Sequence, residues 1–405
     1  MKTEARQTRA RILVLTSTFP RWQGDNEPPF VLELCRRLGD EFDLTVLAPH
    51  APGAMRYEWM EGIEVVRFCY GFRRWERLAY QGGILANLKR SRWCYLLLPL
   101  FFLSQLTVLR RIVRYQHIDV IHAHWLIPQG LTVAIASLVM KNGPPMICTS
   151  HGGDLLGLNG WLLRSIKRWV IRRSAQLTVV SRAMAAYALS QGARPERLHT
   201  ISMGVDTINR FTPDISVSRA TNELLFVGRL VEKKGCAYLL AAMPEILRHF
   251  PDTRLSIVGS GAMKKTLKWQ VENIGIAHAV TFHCAVNNAE LPNWYRRATI
   301  FIAPSIVTSQ GDQEGLGLVL VEALACGCPV IASDLPAIQD VVIDGVTGVL
   351  VQHQDSAGVA RAVVALLAAP ERRRQLAEKG RDHVVRNFDW TSVAARYRQL
   401  LSELI

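Results

Sequence analysis

The chain has 405 residues, enough at about 150 per domain for two or three domains, so a peptide or a small stapled scaffold is excluded. Hydrophobic residues make up 49% and charged residues 20%, the proportions of an ordinary folded protein and not of a disordered one. Lys and Arg number 48 against 34 Asp and Glu, a formal charge of +14 that favours anionic partners: nucleic acid, lipid headgroups or phosphorylated metabolites.

The start, MKTEARQTRARILVLTS, carries charges where a secretory apolar stretch would stand, and the eight cysteines are scattered without a CxxC pair. Reduced thiols and a cytoplasmic location are expected. Short runs rich in Val and Ile then alternate with segments of helical period, which predicts parallel sheets covered by helices, an α/β fold. In the first half the predicted strands are Ile12 to Leu15, Leu44 to Ala48, Ile63 to Phe68, Val120 to Ala123, Met146 to Thr149 and Leu177 to Val180. Helices such as Val31 to Leu38 and Trp161 to Arg173 lie between them.

One segment stands apart. CYLLLPLFFLSQLTVL, Cys94 to Leu109, is interrupted by Pro99, Ser104 and Gln105 and falls short of the roughly 20 apolar residues a spanning helix needs. Between Arg67 and Arg114 there are ten Lys or Arg and one acidic residue, Glu76. Such a segment is either a helix lying in the headgroup plane of an anionic membrane or a buried helix with a solvated basic face.

The polar stretch Met203 to Asp214, MGVDTINRFTPD, shows neither period and reads as a linker. After it the rhythm restarts, with strands at Leu224 to Val227, Leu255 to Val258, Val280 to Phe282, Ile300 to Ile302, Val330 to Ala332 and Gly348 to Leu350. The domains expected are 1–205, 206–388 and a terminal segment 389–405, whose helix Thr391 to Leu404 follows Asp389 as a cap residue. Packing of that segment back on the first domain is one option. Two doubly wound units in tandem face a central cleft, and their ligands sit outside the carboxyl ends of the strands.

Three constellations carry chemistry. Glu314 and Glu322 flank GLGLVLV, where a polar loop feeds a helix whose N-terminal N–H groups suit a phosphate; along a continuous helix the two carboxylates would be about 12 Å apart. That span suits a nucleoside diphosphate-sugar, although a solvated loop Glu and a salt-bridged helix Glu would look the same. In FVGRLVEKKG, Gly228 ends a strand, and Arg229 and Lys234 project from the loop as a planar fork and a mobile point charge, a clamp for a diphosphate. His151, in TSHGGD, stands at a strand end with glycines that permit close approach; it is either a ligand contact or a satisfied structural histidine. His122 and His124 share one face, but no third metal ligand is evident. Gly259-Ser260-Gly261 reads as a tight turn, and no GxxxxGK[ST] phosphate loop occurs.

Taken in order, STFPRWQGDNEPPFV, DVIHAHW, TSHGGD, VVSRAM, GVD, LFVGRLVEKKG, IVGSGAMKKTL and EGLGLVLVEALACGCPVIASD resemble the retaining nucleotide-sugar glycosyltransferases of family 4 with the GT-B fold. The resemblance covers nearly the whole chain, and Glu314 and Glu322 match the two ends of the family's E-x7-E motif. It implies a donor such as a UDP- or GDP-hexose, no cofactor and no metal. By it, Arg229 and Lys234 hold the diphosphate, Glu322 the ribose, and Glu314 with the backbone of Gly315 and Leu316 the donor sugar and phosphate. His151 touches the sugar at the reacting centre, and the acceptor hydroxyl attacks from the side the diphosphate leaves.

The resemblance also implies that the first domain takes the acceptor, a saccharide or lipid-linked glycan, in exopolysaccharide or envelope-glycan synthesis. The first loop departs from the family's Gly-Gly pair: it has a single Gly24, with Asp25 and Glu27 as candidate hydroxyl acceptors and His124 nearby on the acceptor side. Residues 67–114 would dock the enzyme on the inner face of the cell membrane. A nucleotide-sugar epimerase of the same architecture is the rival enzyme, and a sugar-nucleotide or nucleic-acid binding protein the rival non-enzyme. Basic residues without interleaved stacking aromatics in a known module disfavour nucleic acid.

Overall fold

The computed structural model describes residues 9–405 apart from positions 26, 81, 141, 158 and 159. The charged start, residues 1–8, lies outside the described residues. The chain forms two units: the first runs to Val180, resumes at Ala185–Ile201 and is completed by Ala394–Ile405, and the second takes Ser181–Met184 and Ser202–Val393.

In the first unit the strands are β1 (Arg11–Leu15), β2 (Asp43–Pro49), β3 (Tyr57–Met60), β4 (Ile63–Phe68), β5 (Val120–His124), β6 (Met146–Ser150), β7 (Gln176–Val179) and β8 (Leu198–Thr200). They lie in the order β3-β4-β2-β1-β5-β6-β7-β8, all parallel except β3, which pairs antiparallel with β4. The central strands are buried along almost their whole length because helices cover both faces, so each reads as a continuous apolar run. β3 and β8 escape sequence reading for the opposite reason: they are short, partly exposed edge strands without such a run.

The second unit has β9 (Glu223–Val227), β10 (Arg254–Val258), β11 (Val280–His283), β12 (Ile300–Ala303), β13 (Val330–Ser333) and β14 (Val349–Val351). Their order is β11-β10-β9-β12-β13-β14, parallel throughout. Leu224, Phe226 and Ile257 meet Leu239, Met243 and Val363 of the covering helices in its core. The order reverses between β9 and β12, and the loops leaving these two strands at their carboxyl ends are the ones that carry Lys234 and Glu314.

Glycine lets those loops touch. Gly235 has φ +65°, and a Cβ there would stand 1.7 Å from the carbonyl oxygen of Pro304, just after β12. Gly259, after β10, would likewise place a Cβ 2.0 Å from the carbonyl oxygen of Gly228. The loops after β9, β10 and β12 are therefore pressed together by absent side chains.

The terminal helix is Trp390–Ser402. Asp389 caps it by accepting from Thr391 N at 2.8 Å, and also accepts from Thr207 Oγ1 at 2.7 Å within the second unit. Further along, in the first unit, Tyr397 sets its hydroxyl 3.3 Å from Thr178 Oγ1 and its ring 5.3 Å from that of His122.

The apolar segment differs from its sequence reading in length. The helix runs from Cys94 to Tyr115, 22 residues, because Arg110, Arg111 and Arg114 continue it as good helix formers beyond Leu109. By length and composition alone it is long enough to cross a membrane. One side is buried, through Phe101, Gln105, Leu109 and Ile112, and Gln105 accepts from Thr132 Oγ1 at 2.8 Å. Two charges of the basic stretch are also internal. Arg67 is buried, 2.7 Å from Glu58, and donates to the Pro20 carbonyl, while Glu76 is buried against His50.

Replacing Gly235 by Ala is expected to lower stability by about 2–4 kcal/mol, since the new methyl meets rigid backbone and an unfavourable φ together. Urea unfolding checks this, with Gly311→Ala as control: that site has positive φ but open space around it.

Candidate active site

In the second unit the Lys234 ammonium lies 2.5 Å from Glu314 Oε2, both side chains 16% exposed. Lys234 ends a short 3-10 turn after β9, and Glu314 lies in the loop that follows β12. Burial pushes the Glu314 carboxyl up, but Lys234, with help from Lys233 and the Gly315 N–H, outweighs it and holds Glu314 below the ordinary value. Lys233 makes a parallel bridge to Asp312 at 2.9 Å. Arg229 is exposed and forms no ion pair among the described residues.

The helix after this loop begins only at Leu318 and ends at Ala325. A single helix from Glu314 to Glu322 is thus not what forms; Gly317, with φ +85°, breaks it, and the 12 Å helical spacing does not apply. The backbone N–H groups of Leu316 and Gly317, just before the helix, donate to no protein acceptor among the described residues and so keep their hydrogen-bonding capacity for an anion.

Glu322 is in a different electrostatic state from Glu314. It forms no ion pair among the described residues; its partner is the Tyr295 hydroxyl, which donates to Oε2 at 2.8 Å. Loss of solvent raises its pKa from 4.5 to about 7, against the smaller opposing effects of Tyr295 and Arg210. Tyr295, on the helix Leu291–Arg297, had no signal in the sequence, because its role depends on where that helix packs.

The first unit holds a separate cluster. His151 follows β6, and its Nε2 lies 2.9 Å from Nδ1 of His124 at the end of β5, the two rings stacked at 5.2 Å with an 11° interplanar angle. Phe30 and Trp125 close around His151 at 5.0 and 4.8 Å between ring centroids. His122 bonds instead to Thr149 Oγ1 at 2.8 Å. Burial pushes His122 and His151 down to about 3 and His124 well below its ordinary value, so all three are neutral near pH 7.

A hydrogen bond between two neutral imidazoles uses one proton. Whichever ring supplies it, the outer nitrogens, His151 Nδ1 and His124 Nε2, are left as one donor and one acceptor, both buried and without a protein partner. Two orphaned polar atoms at a strand end mark a place where a hydroxyl-rich ligand would be satisfied. Asp154 of the same motif is structural: it accepts from Leu126 N at 2.6 Å and Ser150 Oγ at 2.8 Å, tying the loops after β5 and β6 together.

In the first loop Gly24 has φ +79°, which turns the chain before Asp25. Asp25 is gripped by Arg21 through Nη2 at 2.7 Å and Nε at 2.8 Å, so its carboxylate organises the loop. Glu27 adds to the negative field that raises the Arg21 pKa. Among the described residues the His/Cys/Asp/Glu group that converges closely enough for a metal is His50, Cys69 and Glu76. Both nitrogens of His50 and both oxygens of Glu76 already have protein partners, which makes it an internal hydrogen-bonded pair.

With this geometry in hand, residues 29–208 match the family described as Glycosyltransferase Family 4 and residues 211–383 the family described as Glycosyl transferases group 1. A GDP-mannose-dependent alpha-(1-6)-phosphatidylinositol monomannoside mannosyltransferase of Mycolicibacterium smegmatis is 31% identical across 96% of this chain and 98% of its own. A glycogen synthase of Mycobacterium tuberculosis is 30% identical across 70% of this chain and 68% of its own. Among solved structures, sucrose-phosphate synthase from Thermosynechococcus elongatus superposes with a TM-score of 0.77 at 22% identity, covering 98% of this chain and 99% of that one. HepE of Anabaena, solved with UDP-glucose, gives 0.72 at 17% identity, covering 97% and 99%. The chain belongs to the group 1 and family 4 glycosyltransferases, has the GT-B fold, and is a glycosyltransferase that uses a nucleotide sugar.

Glu322 yields a pH signature. Its folded pKa lies above the unfolded one, so the stability it contributes is fully present below pH 4.5 and is lost as pH rises through about 7. Between pH 5 and 8 the native protein is expected to lose stability relative to Glu322→Gln by on the order of 3 kcal/mol, read from urea midpoints of both proteins.

Proposed function

We propose that the protein transfers a hexose, with mannose from GDP-mannose first among the donors, to a lipid-linked saccharide with retention of anomeric configuration, at the cytoplasmic face of the membrane during exopolysaccharide or envelope-glycan synthesis. The relative that spans almost the whole chain supports the donor and the lipid-borne acceptor by its name, which also gives its product linkage as alpha-(1-6). The observation that supports the residue roles is the ion pair of Lys234 with Glu314, in a loop whose following N–H groups, at Leu316 and Gly317, have no protein acceptor among the described residues.

In this reading Arg229 and Lys234 take the diphosphate, and Glu322, a carboxyl raised to about 7 and bonded to Tyr295, exchanges hydrogen bonds with the ribose hydroxyls. Glu314, held ionised by Lys234, accepts from hydroxyls of the hexose, and the N–H groups from Gly315 onward approach the sugar and phosphate. His151 offers its orphaned nitrogen to the hexose, and Gly24, Glu27 and His124 stand on the acceptor side. The carboxylate of Asp25 is already committed to Arg21, so it serves by shaping the loop.

Chemically, departure of a nucleoside diphosphate leaves negative charge on the leaving oxygens. One guanidinium, one ammonium and a helix edge offset that charge where it develops. No carboxylate is assigned as a covalent nucleophile. The acceptor hydroxyl attacks on the face the diphosphate leaves, and the diphosphate takes its proton.

A panel of GDP-mannose, UDP-glucose and ADP-glucose, screened by thermal shift, tests the donor. GDP-mannose at a hundred times its Kd is expected to add about 2.7 kcal/mol, and UDP-glucose alone shifting the protein would reassign the donor. Lys234→Ala and Arg229→Ala are each expected to reduce kcat/KM by roughly 10²-fold to 10³-fold. Release of an epimerised sugar without acceptor would replace transfer with epimerisation.

A further inference from the structure

The first unit contains a cavity of about 1060 Å³ remote in sequence from the residues above. Its apolar wall is Phe72, Trp75, Trp93, Leu96, Leu97 and Leu100, and Arg74, Arg77 and Arg90 line the same space. It is at the upper end of the size of small-ligand sites.

The surface around it is unusual in two respects. The helix Cys94–Tyr115 has a second apolar face: Leu96, Leu100 and Leu103, at spacings of four and three, are 65%, 49% and 63% exposed, and Trp93 before it is 78% exposed. Large apolar side chains grouped in this way mark an interaction surface. Around them Arg74, Arg77, Lys89, Arg90, Arg92, Arg110, Arg111 and Arg114 are all exposed and form no ion pair among the described residues. The one acidic residue of the segment, Glu76, is withdrawn into the interior by His50. The segment thus offers hydrocarbon-compatible surface and positive charge, its own carboxylate being buried, and no carboxylate is among the residues lining the cavity. The complementary partner is an anionic amphiphile. Single-stranded nucleic acid would match the arginines and tryptophans but leave the leucines wet.

We infer that this cavity seats an acyl chain of an anionic membrane phospholipid, its phosphate held among Arg74, Arg77 and Arg90, while Leu96, Leu100 and Leu103 lie in the headgroup plane. The inference rests on the reading that the acceptor is borne by a membrane, and it names the surface that meets that membrane.

The test uses the full chain with vesicles of dioleoylphosphatidylglycerol or dioleoylphosphatidylcholine. Sedimentation is expected to favour the anionic vesicles at least tenfold, and the triple variant Arg74→Gln, Arg77→Gln, Arg90→Gln to weaken that binding roughly a hundredfold. Phosphatidylglycerol with brominated chains is expected to quench tryptophan fluorescence, an effect lost in Trp75→Phe, Trp93→Phe. Ser91→Phe, which fills the cavity, is expected to lose the quenching while keeping vesicle binding within severalfold. Equal binding to both lipids, quenching unchanged by Ser91→Phe, displacement of vesicles by a random oligonucleotide, or a lipid-free dimer that shields these tryptophans would each overturn the inference. The donor-induced thermal shift separates the two readings. A wild-type protein that keeps its anionic-lipid preference but shows no shift with any nucleotide sugar would sink the transfer reading alone. A normal shift without lipid preference would sink this one alone.

Discussion

The ion pair between Lys234 and Glu314 is the constraint on which the second unit's site depends. A carboxylate as enclosed as that of Glu314 stays charged only beside a fixed cation, and removing either partner strands the other. The pair can form because Gly235 has no side chain to keep the β9 loop off Pro304. Backbone contact and electrostatics therefore act together: the absence of a Cβ at Gly235 permits the approach of two loops that sequence separates by eighty residues, and the ion pair spans them.

The same loop-and-helix passage then creates a contrast between two identical side chains. Glu314 has a cation and remains ionised; Glu322 has a phenol and titrates near 7. Environments that push two carboxyls apart in pKa give them different hydrogen-bonding repertoires, one accepting only and the other both donating and accepting. In the first unit, burial works on histidines instead. His122, His124 and His151 are held neutral, and the single proton between the latter two rings leaves buried nitrogens that the protein does not satisfy. Nearby Asp154 is fully satisfied, which separates the scaffold of the motif from the part that is open to a ligand.

Charge is sorted along the basic stretch by the same rule. Arg67 and Glu76 find partners inside, Glu58 and His50, and contribute to packing. The remaining described basic residues from Arg74 to Arg114 stay outside, beside leucines and tryptophans that the fold does not cover. Net charge alone could not distinguish these two groups.

What the sequence determined by itself was the order of the layers and the residue types at the strand ends. Buried parallel strands are continuous apolar runs, so β1, β2, β9, β10, β12 and β13 were legible to within a residue or two, and the loops after them were legible as candidate sites. Short exposed edges such as β3 and β8 carried no run and were not. Gly317 ended the helical continuity that periodicity suggested between Glu314 and Glu322, and the arginines after Leu109 lengthened a helix that hydropathy alone cut short. Tertiary structure alone decided which polar side chains meet: Lys234 with Glu314, Tyr295 with Glu322, Arg21 with Asp25, His50 with Glu76. Local sequence controls periodicity over a few residues, whereas pairing and desolvation depend on chain segments that become neighbours only when the sheets assemble.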